Sequence, residues 1–109
     1  MRGAARFPQA GGMKVVNYVA YTAVPERVAA LRPAHREYMT QLHADGRLVA
    51  CGPFTDGNGA PYIYETGSLA AADEILAADP YHIGGVFADC RLSAWEIIKA
   101  NPVLLPATR

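Results

Sequence analysis

Two turn signals lie side by side in Thr55-Asp56-Gly57-Asn58-Gly59-Ala60-Pro61, and they constrain the fold more than any other feature of the chain. Asp56-Gly57 and Asn58-Gly59 both favour positive φ, which tight hairpin turns require. Strand-like runs flank them, Arg47 to Phe54 and Tyr62 to Thr66, so the centre of the chain reads as a β-hairpin. Each arm is flanked by a helical segment and then by a further strand. Upstream, Lys14 to Thr22 is rich in β-branched and aromatic residues and apolar on both faces, as suits a central strand. Between the two, Glu26 to Leu31 is a helical patch that Pro33 is expected to interrupt, because proline lacks an amide proton and clashes with the preceding turn. A better helix then starts at Pro33 and stops at Gly46. Downstream, Ser68 caps a helix with an inward stripe of Leu69, Ala72, Ile75 and Leu76, ending about Asp79-Pro80. A short turn carrying Tyr81, His82, Gly84 and Gly85 leads into a last strand, Val86 to Trp95.

The order β-α-β-β-α-β, joined by right-handed crossovers, implies an α+β, ferredoxin-like domain. Its four-stranded antiparallel sheet has strands one and three in the middle and both helices on one face. Cys51 and Cys90 then fall on opposite edge strands, ~14 Å apart, too far for a disulfide, and are expected as free thiols in a cytoplasmic protein. The second sheet face is left bare, yet strand one is apolar there too, so a homodimer packed sheet against sheet is expected. The competing arrangement is a monomer with its tail folded over that face.

With 109 residues the chain makes one domain. Residues 1–12 are expected to be a disordered or upstream extension, 13–98 the domain and 99–109 a tail rich in proline and apolar side chains. Ten basic residues balance ten acidic ones, so there is no field to gather nucleic acid or an anionic membrane. No apolar run approaches the roughly 20 residues of a membrane span. A small-molecule substrate is the expected partner.

The same layout brings the start of the first helix and the finish of the second to the hairpin end of the sheet, so His35 and Asp79 should meet there. His35, Tyr38, Met39 and Leu42 recur at i, i+3, i+4 and i+7, which turns His35 towards the sheet. Histidine exchanges a proton near neutral pH, and an ionised aspartate beside it fixes its tautomer. At a helix N-terminus the dipole opposes imidazolium, and at a helix C-terminus it opposes carboxylate, so each partner is expected to offset the other's mismatch. The plainer reading is a core histidine satisfied by Asp79 for stability alone. Arg32, Tyr81 and His82 are the candidate substrate-binding side chains, although Arg32 also suits a surface ion pair with Glu26 or Glu37. His35, Asp79 and His82 offer an alternative metal triad, but no metal or cofactor is expected. Tyr18, Tyr21, Tyr62, Tyr64 and Tyr81 suit an aromatic pocket, yet tyrosine at alternate positions is first a strand former. Gly57-Asn58-Gly59 lacks the Lys-Ser/Thr and the helix of a phosphate-binding loop.

From about Met13 to Ile98 the chain resembles a YCII-related domain. The resemblance rests on Arg32-Pro33-Ala34-His35, Leu42-His43-Ala44-Asp45-Gly46-Arg47-Leu48, Gly52-Pro53, and Asp79-Pro80-Tyr81 before a glycine-containing turn. His82 is a departure from the pattern. The resemblance implies a ferredoxin-like subunit that pairs into a dimeric α/β barrel, with His35 and Asp79 as the active-site pair. Related members include a dehydrochlorinase of hydroxylated aromatic rings, and the wider superfamily includes muconolactone isomerases and small monooxygenases. The expected function is acid/base chemistry, elimination or isomerisation, by His35 oriented by Asp79, on a small aromatic or lactone-like substrate. The alternatives are a non-catalytic binding or accessory protein with a structural pair, and a metal-dependent enzyme.

Overall fold

Along the first strand, Val15, Asn17 and Val19 are buried while the alternate residues Tyr18 and Ala20 are exposed, the alternation of a strand covered on one face. The computed structural model describes residues 12–106. Its elements are β1 (Met13–Tyr21), α1 (Pro25–Ala44), β2 (Leu48–Cys51), β3 (Gly59–Thr66), α2 (Leu69–Ala77), the one-turn α3 (Pro80–Ile83) and β4 (Phe87–Trp95). A 3-10 turn, Pro102–Leu104, follows. The strands order as β2-β3-β1-β4 and every pairing is antiparallel. This is the ferredoxin-like α+β sheet, with β1 and β3 central.

One face carries the core. Val15 and Val19 of β1 and Ala60, Tyr62 and Tyr64 of β3 are buried together with Met39 and Leu42 of α1 and Ala72, Ile75 and Leu76 of α2. The Tyr38 hydroxyl donates to the Ile75 carbonyl at 2.8 Å and ties the two helices together. Ser68 caps α2 by accepting from the Ala71 amide, but Leu69 is 47% exposed and stands outside the predicted stripe. It occupies the first turn of α2, before the helix reaches the sheet. Gly46 ends the turn after α1 at φ +75°, a conformation glycine adopts without a Cβ clash.

The prediction of two helices split at Pro33 is not borne out: α1 runs unbroken through it. A proline inside a helix costs about 3 kcal/mol, and two features offset that. Ala29, whose carbonyl the proline leaves without its helical donor, is exposed to water. The inward face also continues across the break, from Val28 and Leu31 to His35, Met39 and Leu42. Strand bounds differ as well. β2 is shorter than Arg47 to Phe54 because Gly52-Pro53 cannot continue the ladder. β3 begins at Gly59, not Tyr62, and includes Pro61, which β2 does not reach in its pairing.

Among the described residues no helix covers the second sheet face. Val16, Tyr18, Ile63 and Trp95 lie on it, with Tyr18 58% and Trp95 44% exposed. The Lys14–Glu65 ion pair, 2.8 Å, sits at its margin. The described part of the tail, to residue 106, does not cover this face: Ile98, Val103, Leu104 and Leu105 are all mostly exposed. Cys51 and Cys90 are free thiols on the two opposite edge strands, as expected. Among the described residues no helix is long and apolar enough to cross a membrane. The expected extension at residues 1–12 lies outside the described residues except for Gly12.

Candidate functional site

His35 and Asp79 meet. The imidazole Nδ1 lies 2.8 Å from Asp79 Oδ1, with His35 7% exposed and Asp79 completely buried. An ionised carboxylate has no proton to give, so Nδ1 donates to it, and in the neutral imidazole the lone pair is then on Nε2. The same Asp79 oxygen accepts the backbone amide of Tyr81 at 2.9 Å, while Oδ2 is buried with no hydrogen-bond partner among the described residues.

Both local settings differ from expectation. Because α1 is continuous, His35 sits mid-helix, where the terminal dipole no longer acts on it. Asp79 follows α2 but also caps α3, its carboxylate accepting the Tyr81 amide. Pro80 at the start of α3 explains the arrangement, since proline suits the first helical position and holds the residue before it extended. The anticipated mutual offset of dipole mismatches is therefore replaced by capping that favours the carboxylate directly.

The other imidazole nitrogen faces a phenol. Tyr62 Oη is 3.2 Å from His35 Nε2, and Tyr21 Oη is 3.1 Å from Tyr62 Oη. With Nε2 unprotonated, the Tyr62 hydroxyl donates to it and the Tyr21 hydroxyl donates to Tyr62. Burial pushes the Tyr62 phenol far above the usual tyrosine range, helped by its bond to Tyr21, and burial likewise raises Tyr21. Neither phenol is a resting phenolate. Tyr81 stacks on the imidazole, with ring centroids 3.8 Å apart and planes 10° from parallel. Phe87 meets His35, Tyr62 and Tyr81 at tilted or edge angles and lies parallel to Tyr21. One half-polar, half-aromatic cluster thus joins α1, α3, the middle of β3, the end of β1 and the start of β4.

Of the candidates read from sequence, His35, Asp79 and Tyr81 are brought together, whereas Arg32 and His82 are exposed and stand outside this hydrogen-bonded group. Arg32 pairs with neither Glu26 nor Glu37; the ion pairs among the described residues lie elsewhere. No group of three His, Cys, Asp or Glu side chains among the described residues is arranged to hold a metal, so the triad of His35, Asp79 and His82 does not assemble. Phe87 was not read as a site residue, and Tyr21 and Tyr62 were read only as candidate lining of an aromatic pocket, without a hydrogen-bonding role. Tyr21 and Tyr62 were visible as alternating strand tyrosines, but which face each takes depends on register. Tyr64 bonds to Asn17 instead, and Tyr18 lies on the open face against Phe54.

The family model of the YCII-related domain matches residues 13–96. Protein YjpA of Bacillus subtilis (strain 168) is 37% identical over 65 residues, which cover 60% of this chain and 75% of that protein. Protein YciI of Escherichia coli O6:H1 is 38% identical over 72 residues, 57% of this chain and 74% of that one. Among solved structures, the 5-chloro-2-hydroxyhydroquinone dehydrochlorinase of Burkholderia phenoliruptrix AC1100, in complex with 2,5-dihydroxybenzoquinone, superposes with a TM-score of 0.69 at 21% identity. That superposition covers 77% of this chain and 94% of the dehydrochlorinase. Rv0793 from Mycobacterium tuberculosis gives a TM-score of 0.54 at 15% identity, covering 82% and 97% of the two chains. With the matched region spanning nearly all of the folded domain, the chain belongs to the YCII-related domain family.

Proposed function

We propose that this protein is an enzyme that moves a proton on a small, ring-containing organic substrate, by elimination or isomerisation, with His35 as the acid/base group and Asp79 as its orienting partner. The observation that carries the reading is the 2.8 Å bond between His35 Nδ1 and the capped Asp79 carboxylate, which leaves Nε2 as a base facing hydroxyl groups rather than packed hydrocarbon. Proton uptake at Nε2 creates an imidazolium beside a buried carboxylate, which stabilises the charge as it forms. The aromatic rings of Tyr81 and Phe87 beside the imidazole are in keeping with a flat, unsaturated guest. A dehydrochlorinase of a hydroxylated ring on the same fold supports this substrate class. Arg32, Tyr81 and His82 remain the candidates for substrate binding, with Tyr81 acting through its stack on the imidazole.

The test is chloride release from 5-chloro-2-hydroxyhydroquinone, alongside a panel of hydroxylated rings and unsaturated lactones. Wild-type protein should turn over at least one of them. His35→Asn, whose amide can still donate to Asp79, should keep the melting temperature and lose about 100-fold or more in rate. Equal rates in the two proteins would remove His35 from the chemistry.

The near-complete burial of the pair favours a second reading, a binding or accessory protein in which His35 and Asp79 only hold α1 to α3. It predicts no turnover of any ring compound while tight binding persists. In either reading we assign the bare sheet face to a second copy of this chain, supported by the exposed Tyr18 and Trp95 and by the uncovered apolar tail. Tyr18→Glu should convert a dimer to a monomer in sedimentation, and an unchanged dimer would place the interface elsewhere. The free thiols fit a cytoplasmic setting.

A further inference from the structure

His35 is nearly enclosed, so a substrate reaching the imidazole directly would have to displace the rings packed on it. The hydrogen bonds offer another way out. From Asp79 they run to His35, then to Tyr62, then to Tyr21, with separations of 2.8, 3.2 and 3.1 Å. Asp79, His35 and Tyr62 are buried, and the last member of the row, Tyr21, is only half-buried. Tyr21 also sits at a built position. The β1–β4 ladder skips Ala88 there, pairing Ala20 with Asp89 but Tyr21 with Phe87. Such a bulge re-aims side chains, and here it seats Phe87 parallel to the Tyr21 ring at 6.3 Å. The Tyr21 amide is held by the Asn58 carbonyl of the hairpin, 2.9 Å away.

We infer that Tyr21 is the group that touches the substrate, and that Tyr62 relays its proton to His35. Resting on the acid/base reading above, the step balances as follows. A substrate C–H or O–H proton passes to Tyr21 Oη as the Tyr21 proton moves to Tyr62 Oη and the Tyr62 proton moves to His35 Nε2. The substrate loses one proton, both phenols end neutral, and the imidazolium forms against Asp79. Return of the proton along the same row, to a different substrate atom or to a departing group, completes isomerisation or elimination. The elevated phenols fit this role, because a group that resists becoming phenolate passes a proton on rather than storing its charge. The titratable groups around the row are Tyr81 from α3, Asp79 before it, and Cys51 from β2.

The test needs no substrate. In protein labelled with ¹⁵N-histidine, relaxation dispersion near the His35 titration midpoint reads how fast the imidazole gains and loses its proton. Tyr62→Phe and Tyr21→Phe should each slow that exchange by about tenfold or more, the rate equivalent of one lost hydrogen bond. Tyr64→Phe, an equally buried phenol off the row, should leave it unchanged. Incorporating a fluorinated tyrosine at position 21, which keeps ring and hydroxyl, should preserve the wild-type rate and so separate relay from packing. A wild-type exchange rate in Tyr21→Phe overturns the relay yet leaves His35 free to act as a base. A slowed rate with no turnover of any ring compound upholds the relay and removes the enzyme reading.

Discussion

Two polar groups are buried side by side under the helices, and they end differently. Asn17 of β1 donates to the Tyr64 hydroxyl of β3 at 3.1 Å, and there the connection stops: both residues are fully enclosed, and Asn17 Oδ1 has no partner among the described residues. The row from Asp79 through His35 and Tyr62 instead reaches the half-buried Tyr21. Both lie on the same sheet face and use a tyrosine of β3, at positions 62 and 64. A closed polar pair in a core only has to satisfy itself. One that ends at the surface can exchange something with a guest, and it contains the histidine, the side chain whose ordinary ionisation lies near neutral pH. On the proposed reading, the contrast separates structural polarity from chemical polarity within a single core.

Three substitutions or conditions sharpen the contrast, in descending size. Asp79→Ala removes the acceptor for His35 and the cap of α3 together, and should lower unfolding stability by about 3 kcal/mol in urea titration. A loss under about 1 kcal/mol would mean that this end of the row carries little of the fold. Alkaline pH is next. Burial raises the Tyr62 and Tyr64 phenols above their unfolded value near 10. The folded state therefore holds these protons more tightly than the unfolded chain. That stabilisation is whole below about pH 10 and is lost as pH rises towards the folded values, by about 1.4 kcal/mol per pH unit for each phenol. Melting followed from pH 9 upward should show the fall, and Tyr64→Phe should remove one phenol's share of the slope. Smallest is the closed pair: Asn17→Leu with Tyr64→Phe replaces both partners by apolar groups of similar shape, and should change stability by less than about 1 kcal/mol. The same double change should leave any ring turnover intact.

Much of this architecture is legible in the chain itself. The paired turn signals around Gly57 and Gly59, the Ser68 cap and the central-strand character of Lys14 to Thr22, apolar on both faces, together give the strand order and bring His35 to Asp79. Residues that depend on register were not legible. Phe87 reaches the site because a bulge at Ala88 shifts the β1–β4 pairing by one, and a one-residue shift exchanges which side chain of β4 faces it, whereas Tyr21 follows the alternation of Val15, Asn17 and Val19. Pro33 misled for a related reason. Its local penalty is real, but burial of Leu31 on one side and His35 on the other outweighs it, which only tertiary packing decides. The Asp79 cap depends on α3, a helix of one turn and too short to show a periodicity.

The central claim is that Asp79 fixes His35 with its hydrogen on Nδ1 and its lone pair on Nε2, turned towards the phenols. Imidazole ¹⁵N chemical shifts of His35, recorded above its titration range, test this directly. The account predicts a protonated Nδ1 coupled to its hydrogen and an unprotonated, hydrogen-bond-accepting Nε2. A spectrum with the hydrogen on Nε2 would contradict it, because the base would then face the carboxylate and the row of hydroxyls would have nothing to deliver a proton to.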